Sequence, residues 1–118
     1  MNNHILSVGT SNPGPPVSQQ QIAAFMKLAH GLDHEENRKL QFVYRQTGIQ
    51  NRYSVIDDFR HLDVEKFSFF PQDPSFEPFP STKKRMGLFQ MKAMDLATMA
   101  IRECLEKGRI STAEVTHI

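Results

Sequence analysis

Cys104 is the single thiol of this sequence and the first side chain to consider as a catalytic nucleophile. It lies on the apolar stripe of a predicted helix, where Arg102, two positions away, falls on a different face and is poorly placed to stabilise a thiolate. A thiol in such a stripe is more often a core side chain than a nucleophile. We therefore expect Cys104 to be buried and to react slowly with thiol reagents in the native chain.

The other residue types that do chemistry do not form a recognisable site. His30 and His34 have the i, i+4 spacing of a metal-binding pair, but Gly31 predicts a helix end between them. Asp57 and Asp58 are more typical of the start of a turn than of a catalytic pair. No glycine-rich segment has the spacing of a nucleotide-binding loop. Residue types and spacing alone therefore predict no catalytic residue and no metal site.

Composition limits the possible classes of protein. The 14 basic and 13 acidic side chains give a net charge of +1, which argues against a nucleic-acid surface. No segment approaches the roughly 18 apolar residues of a membrane span, and the N-terminus lacks the features of a signal peptide. A single cysteine excludes an internal disulfide and fits a reducing compartment, so we expect a cytoplasmic protein of at most one domain.

Helix signals are complete in the first half of the chain. Ser18 and Gln21 have the spacing of a capping box, and Gly31 supplies a left-handed end for the helix that follows. Asp33 predicts the start of a second helix, and Gly48 its end.

Strand and loop signals alternate with these helices. His4–Gly9 and Ile49–Ile56 have strand character, and a further strand is predicted to begin at Val115. Between residues 57 and 81, phenylalanines and prolines alternate, which precludes a helix and predicts a loop packed onto a surface. The longest helix is predicted at about residues 83–107. These elements predict an α/β chain of short strands with three helices.

The long helix carries more apolar surface than this chain can cover. One stripe runs from Phe89 to Leu105, and further apolar side chains occupy much of the remaining circumference: Leu88, Met91, Met94 and Met99. The chain also stops just as the predicted strand at Val115 begins. We therefore expect residues 1–118 to be the incomplete N-terminal portion of a larger domain, and the isolated chain to self-associate.

Four segments occur in the order of a known family: Ile5–Pro13, Ile49–Tyr53, Pro80–Arg85 and Ile110–Ile118. Together they resemble the N-terminal part of type III polyketide synthases, the chalcone and stilbene synthase family of the thiolase-like fold. The longer phenylalanine and proline loop is more similar to the bacterial branch. The ketoacyl-carrier-protein synthase III group shares the opening strand and the strand after the long helix, and is the nearest alternative.

The resemblance implies an acyltransferase that condenses an acyl-CoA with malonyl-CoA and has no permanently bound cofactor. In the family a cysteine carries the acyl chain, and a histidine and an asparagine stabilise the oxyanions. These three residues lie downstream of the strand that begins at Val115, and Cys104 does not align with the nucleophile. We therefore assign no catalytic residue and expect this chain alone to be inactive.

The resemblance also implies a site for coenzyme A phosphates on the second helix. The family's three basic positions align with Lys39, Phe42 and Gln46, so only Lys39 keeps the charge. Arg38 and Arg45 are neighbours that can substitute, because phosphate contacts tolerate changes of position. The alternative interpretation is that all three cations are ordinary solvated charges of an amphipathic helix.

Two functions of different classes remain open. The first is a segment of a condensing enzyme whose substrates are acyl-CoA and malonyl-CoA. The second is a stand-alone, non-catalytic module that uses the same half-fold to bind a partner or an acyl-CoA. A reading frame that continues past residue 118 and encodes a cysteine, a histidine and an asparagine would support the first. The starter group, the number of extensions and the cyclisation mode depend on residues that lie mostly downstream.

Overall fold

The computed structural model describes residues 3–117, which form a small α/β chain with three α-helices and a two-stranded sheet. The elements are β1 (Val17–Ser18), α1 (Gln19–Ala29), α2 (His34–Gln46), β2 (Asn51–Arg52) and α3 (Thr82–Gly108). Short 3-10 turns lie at Asp57–Arg60, Val64–Lys66 and Thr112–Glu114. The predicted count and order of the helices are confirmed, and the long helix exceeds its predicted bounds by one residue at each end.

The described residues divide into two compact units, which we treat separately. The phenylalanine unit is Pro13–Arg85, and the long-helix unit consists of residues 3–12 and 86–117. The phenylalanine unit contains both strands, α1, α2 and all of the fully buried side chains.

α1 begins and ends where the sequence predicts. Ser18 is its N-cap, and the Ser18 Oγ accepts a hydrogen bond from the backbone N–H of Gln21 at 3.1 Å. Gly31 has a φ of 57°, and the N–H groups of Gly31 and Leu32 donate to carbonyls of the last turn at 3.2 and 3.1 Å. This pair of bonds forms a Schellman motif, which satisfies carbonyls that the helix leaves free.

α2 is also fixed by its own sequence. The Asp33 carboxylate accepts from the N–H of Glu36 at 2.9 Å, and the Glu36 carboxylate accepts from the N–H of Asp33 at 3.1 Å. This complete capping box satisfies two of the free N–H groups at the helix start. Gly48, with a φ of 66°, follows the C-cap residue Thr47 and ends the helix.

The strand predictions are largely wrong. His4–Gly9 has no strand, and of Ile49–Ile56 only Asn51–Arg52 is one, paired antiparallel with Val17–Ser18. Val115 and the two residues after it form no strand, and Ile118 lies outside the described residues. The reason is that a strand exists only where a neighbour satisfies its N–H and C=O groups, which an apolar run does not guarantee.

The core of the phenylalanine unit is an aromatic cluster around α1. Phe25 is fully buried, and its ring centroid lies 4.9 Å from that of Phe59, 5.5 Å from Phe67, 5.1 Å from Phe70 and 5.8 Å from Phe76. Most of these ring pairs meet edge to face, the arrangement that aromatic quadrupoles favour. The prediction that the phenylalanine and proline loop packs onto a surface is confirmed.

A buried carboxylate holds this loop in place. Asp58 has no exposed surface. It accepts hydrogen bonds from the N–H and Oγ of Ser68 at 2.9 and 3.0 Å, and from the N–H groups of Phe69 and Phe70 at 2.9 and 2.7 Å. Burial raises the pKa of Asp58, but these bonds outweigh it and hold the pKa below its ordinary value of 3.8. The sequence pattern predicted only a turn at Asp58, and the structure shows this side chain to be an anchor.

In the long-helix unit, α3 has no fully buried residue. Its apolar stripe was expected to be core, yet Phe89 is 62% exposed and Met94 is 73% exposed. Cys104 is half-buried, so the expectation of a fully buried thiol is wrong. Within residues 3–117, α3 included, no helix is long and apolar enough to cross a membrane.

Residues 7–10 lie against one side of α3 and shield Cys104. The Ser7 Oγ donates to the Cys104 carbonyl at 2.8 Å and lies 3.3 Å from its Sγ. The N–H of Thr10 donates to the Glu103 carboxylate and, as the main cause, holds the pKa of that carboxyl below its ordinary value. Gly9 approaches the α3 backbone so closely that an added Cβ would lie 2.6 Å from the Cys104 N and 2.8 Å from its Cβ.

We expect Gly9→Ala to displace this segment and to expose the thiol. A loss of about 1.4 kcal/mol in local stability would raise the reaction rate of Cys104 with a thiol reagent about tenfold. Gly87→Ala is the matched control, because a Cβ at Gly87 meets nothing within 4 Å. Equal labelling rates for the two variants would contradict the close packing of Gly9.

Candidate functional site

One face of α2 combines positive charge with exposed apolar surface. Arg38, Lys39, Phe42, Val43 and Arg45 line an open depression of about 500 Å³. The three cations that the sequence analysis selected are therefore brought together. We call these five residues the basic face.

The apolar floor of the basic face is unusually exposed. Phe42 is 56% exposed and Val43 is 55% exposed. Arg38, Phe42 and Arg45 follow one another at i, i+4 and i+7, so they lie on one side of the helix. At 1.5 Å per residue, Arg38 and Arg45 are separated by roughly 10 Å along the axis. Cations thus stand at both ends of an exposed apolar surface.

Lys39 differs from the two arginines in its electrostatic environment. Its Nζ lies 2.8 Å from the Glu35 Oε1, and both side chains are more than half exposed. An exposed i, i+4 pair of this kind contributes little to stability, so Lys39 can exchange Glu35 for another anion at low cost. Among the ion pairs of residues 3–117, neither Arg38 nor Arg45 has an acidic partner.

Of the three positions that the resemblance selected, two lie in the depression. Lys39 and Phe42 line the depression, whereas Gln46 is not among its lining residues. Arg38 and Arg45, which the sequence analysis considered only as neighbours, lie in the depression with Lys39. Val43 was not predicted as part of a site, although its helical spacing from Lys39 would have placed it there.

The local fold presents this face to solvent. No residue of α2 is buried, so the helix is held by its capping box and by its contacts with α1. Because few buried contacts fix α2, its outward side chains can be changed without disturbing the aromatic core.

Two histidines in the described part of the chain have partners within the fold. The ring of His30 stacks on Phe79 at a centroid distance of 5.5 Å, and the His61 Nε2 lies 3.2 Å from the Asp57 Oδ2. No group of three or more potential metal ligands occurs among residues 3–117. The basic face is therefore the arrangement best suited to binding, and its chemistry suits an anion that also carries an apolar or aromatic group.

Compared with protein-family models, with curated proteins and with solved structures, this chain has no match.

Proposed function

We propose that this chain is the N-terminal segment of a type III polyketide synthase of thiolase-like fold, and that the basic face binds the phosphates of its CoA substrates. The observation that carries the proposal is the convergence of Arg38, Lys39 and Arg45 on one exposed depression with an apolar floor. The four sequence segments that resemble this family, in its order, support the enzyme class.

The basic face matches the chemistry of the coenzyme A nucleotide. That group is an adenosine whose ribose carries a phosphate at its 3′ position and a pyrophosphate at its 5′ position. Arginine side chains bind phosphate through two parallel N–H donors, and a lysine supplies a compact charge. Phe42 offers an aromatic surface for the adenine. Cations about 10 Å apart along α2 can contact separate phosphates.

In the proposed reaction, malonyl-CoA loses carbon dioxide, and the resulting enolate attacks the acyl thioester of the enzyme's cysteine. A carbon–carbon bond forms and the cysteine thiolate leaves. We place the acyl-carrying cysteine and the oxyanion donors downstream of this segment, and we assign no catalytic residue within it. The segment's role is to bind and orient the CoA moiety by contacts that are equal in ground and transition states. CoA thioesters as substrates fit a cytoplasmic protein.

Binding of CoA to this chain tests the site directly. We expect the combined variant Arg38→Ala, Lys39→Ala, Arg45→Ala to bind CoA much more weakly, with roughly fivefold lost per side chain. Dephospho-CoA should bind more weakly than CoA to the unchanged chain. Titration of the chain with each ligand, followed by the NMR chemical shifts of α2, gives the dissociation constants for CoA and dephospho-CoA.

Lys66→Ala is the control, since Lys66 is an exposed cation outside the basic face. If the triple variant and the control bind CoA with equal affinity, the basic face is not the CoA site. In a complete enzyme, Lys39→Ala should raise the KM for malonyl-CoA and leave kcat little changed, which is the result of losing uniform binding.

A non-catalytic module that binds an acidic partner protein is the second candidate. The observation in its favour is the exposure of Phe42 and Val43 beside three cations, a composition common at protein interfaces. Binding of an acidic protein, such as an acyl carrier protein, without binding of CoA would favour this candidate.

A further inference from the structure

An acidic side chain stands at the N-terminal edge of the basic face. Glu35 lies three residues before Arg38 and seven before Phe42, so the helical period puts all three on the same side of α2. Glu35 does not line the depression, and its side chain is more than half exposed. A carboxylate thus stands beside a site whose proposed ligand is itself an anion.

The carboxylate of Glu35 is directed to the basic face and not to the end of the helix. The other two acids at the start of α2 serve the capping box, in which Asp33 and Glu36 each accept a hydrogen bond from the other's N–H. Glu35 takes no part in the capping box, and its Oε1 lies 2.8 Å from the Lys39 Nζ. Its interaction with α2 is therefore with a cation that we assign to phosphate binding.

Local helix geometry favours this ion pair. A carboxylate in the first turn is stabilised by the helix dipole, and a glutamate four residues before a lysine is the better orientation of such a pair. Arg38 and Arg45 form no ion pair among residues 3–117. An incoming ligand therefore meets two guanidinium groups without an acidic partner and one ammonium group that already has one.

We propose that Glu35 competes with the phosphate of CoA for Lys39 and thereby lowers the affinity of the basic face. This inference rests on the proposed function, because it names a residue that regulates the same site. On binding, the Lys39 Nζ leaves the Glu35 carboxylate and contacts a phosphate oxygen, and the carboxylate returns to water. Both side chains are exposed, so the exchange needs no movement of the helix backbone.

Two physical effects lower the affinity. The ion pair with Lys39 is lost, and the Glu35 carboxylate remains one helical turn away from the bound phosphate, where like charges repel. Solvent and salt screen both effects at an exposed position, so their sum is modest. A modest loss of affinity has a use in a transferase. Substrate and product carry the same CoA phosphates, so weaker phosphate contacts speed the release of free CoA.

The substitution Glu35→Gln tests the competition on the whole chain. We expect the Kd for CoA to fall roughly twofold to fivefold in low salt, measured by isothermal titration calorimetry. Glutamine has nearly the same helix propensity and leaves the capping box intact, so α2 should keep its structure. In the background of Lys39→Ala, the same substitution should change the Kd little, because no ammonium group remains to be released.

Glu65→Gln is the control, since it removes the same charge from an exposed acid that does not line the depression. Its Kd for CoA should equal that of the unchanged chain, and circular dichroism checks the helix content of every variant.

The inference is overturned if Glu35→Gln binds CoA no more tightly than Glu65→Gln. It is also overturned if Glu35→Gln tightens binding by the same factor with and without Lys39. In both cases a loss of affinity in the triple variant Arg38→Ala, Lys39→Ala, Arg45→Ala would still uphold the CoA site. If the unchanged chain binds no CoA, the proposed function and this inference both fail.

Discussion

Asp58→Asn is expected to lower the free energy of unfolding of the phenylalanine unit by about 3 kcal/mol. The two carboxylate oxygens accept four hydrogen bonds, from Ser68, Phe69 and Phe70. Asparagine has nearly the same shape but only one acceptor oxygen, so its amide must face backbone N–H donors in one orientation or the other. Those buried donors would lose their partner.

The measurement is urea unfolding followed by tyrosine fluorescence, because both tyrosines, Tyr44 and Tyr53, lie in the phenylalanine unit. Asp57→Asn is the matched control. Asp57 is an exposed neighbour whose partners are Arg60 at 3.5 Å and His61 at 3.2 Å. Exposed pairs contribute little, so we expect a change within about 1 kcal/mol. Equal losses for both variants would show that Asp58 is no anchor.

The same carboxylate predicts a pH dependence with a definite sign. The hydrogen bonds hold the pKa of folded Asp58 below its ordinary value of 3.8, which we take for the unfolded chain. A depressed folded pKa gives stability that is fully present above the unfolded pKa and is lost as the pH falls through the folded one. The difference in unfolding free energy between the unchanged chain and Asp58→Asn should therefore be constant at neutral pH and shrink below pH 3.8. A difference independent of pH would contradict this assignment.

Phe25→Ala is expected to be the most damaging single substitution, with a loss of about 3–5 kcal/mol. The ring of Phe25 is fully buried and contacts four other phenylalanine rings, so its removal leaves a cavity at the centre of the aromatic cluster. The hydrogen bond from the Phe70 N–H to Asp58 fixes the backbone of one neighbouring ring, which limits its collapse into the space.

Thermal and urea unfolding of the whole chain measure this loss. Phe25→Leu should cost less, since it keeps much of the apolar volume. Phe89→Ala is the control, because Phe89 is 62% exposed on α3. A loss of less than about 1 kcal/mol for Phe25→Ala would mean that the cluster is not the source of stability.

The candidate site was predicted from sequence only in part. A resemblance selected Lys39 and suggested Arg38 and Arg45, and helical spacing is enough to group them once α2 is known. Phe42 was named only as an aligned position that has lost its charge, and Val43 was not predicted as part of the site. An amphipathic pattern normally assigns such residues to the core, and only the packing of α2 shows that they are exposed.

The sequence by itself determined where the helices begin and end. Ser18, Asp33, Gly31 and Gly48 act within a few residues of their partners, so their hydrogen bonds form wherever the chain is helical. The density of phenylalanine and proline likewise predicted a packed loop, because those residues exclude regular structure and favour burial.

Only the tertiary structure decided which distant segments meet. Asp58 became an anchor because the chain returns to it ten to twelve residues later, at Ser68 to Phe70. The apolar run His4–Gly9 is not a strand, because no strand in the described chain pairs with it, and its residues 7–9 lie on α3. Such pairings depend on the free energy of contacts between residues far apart in sequence, and local residue pattern does not specify the partner.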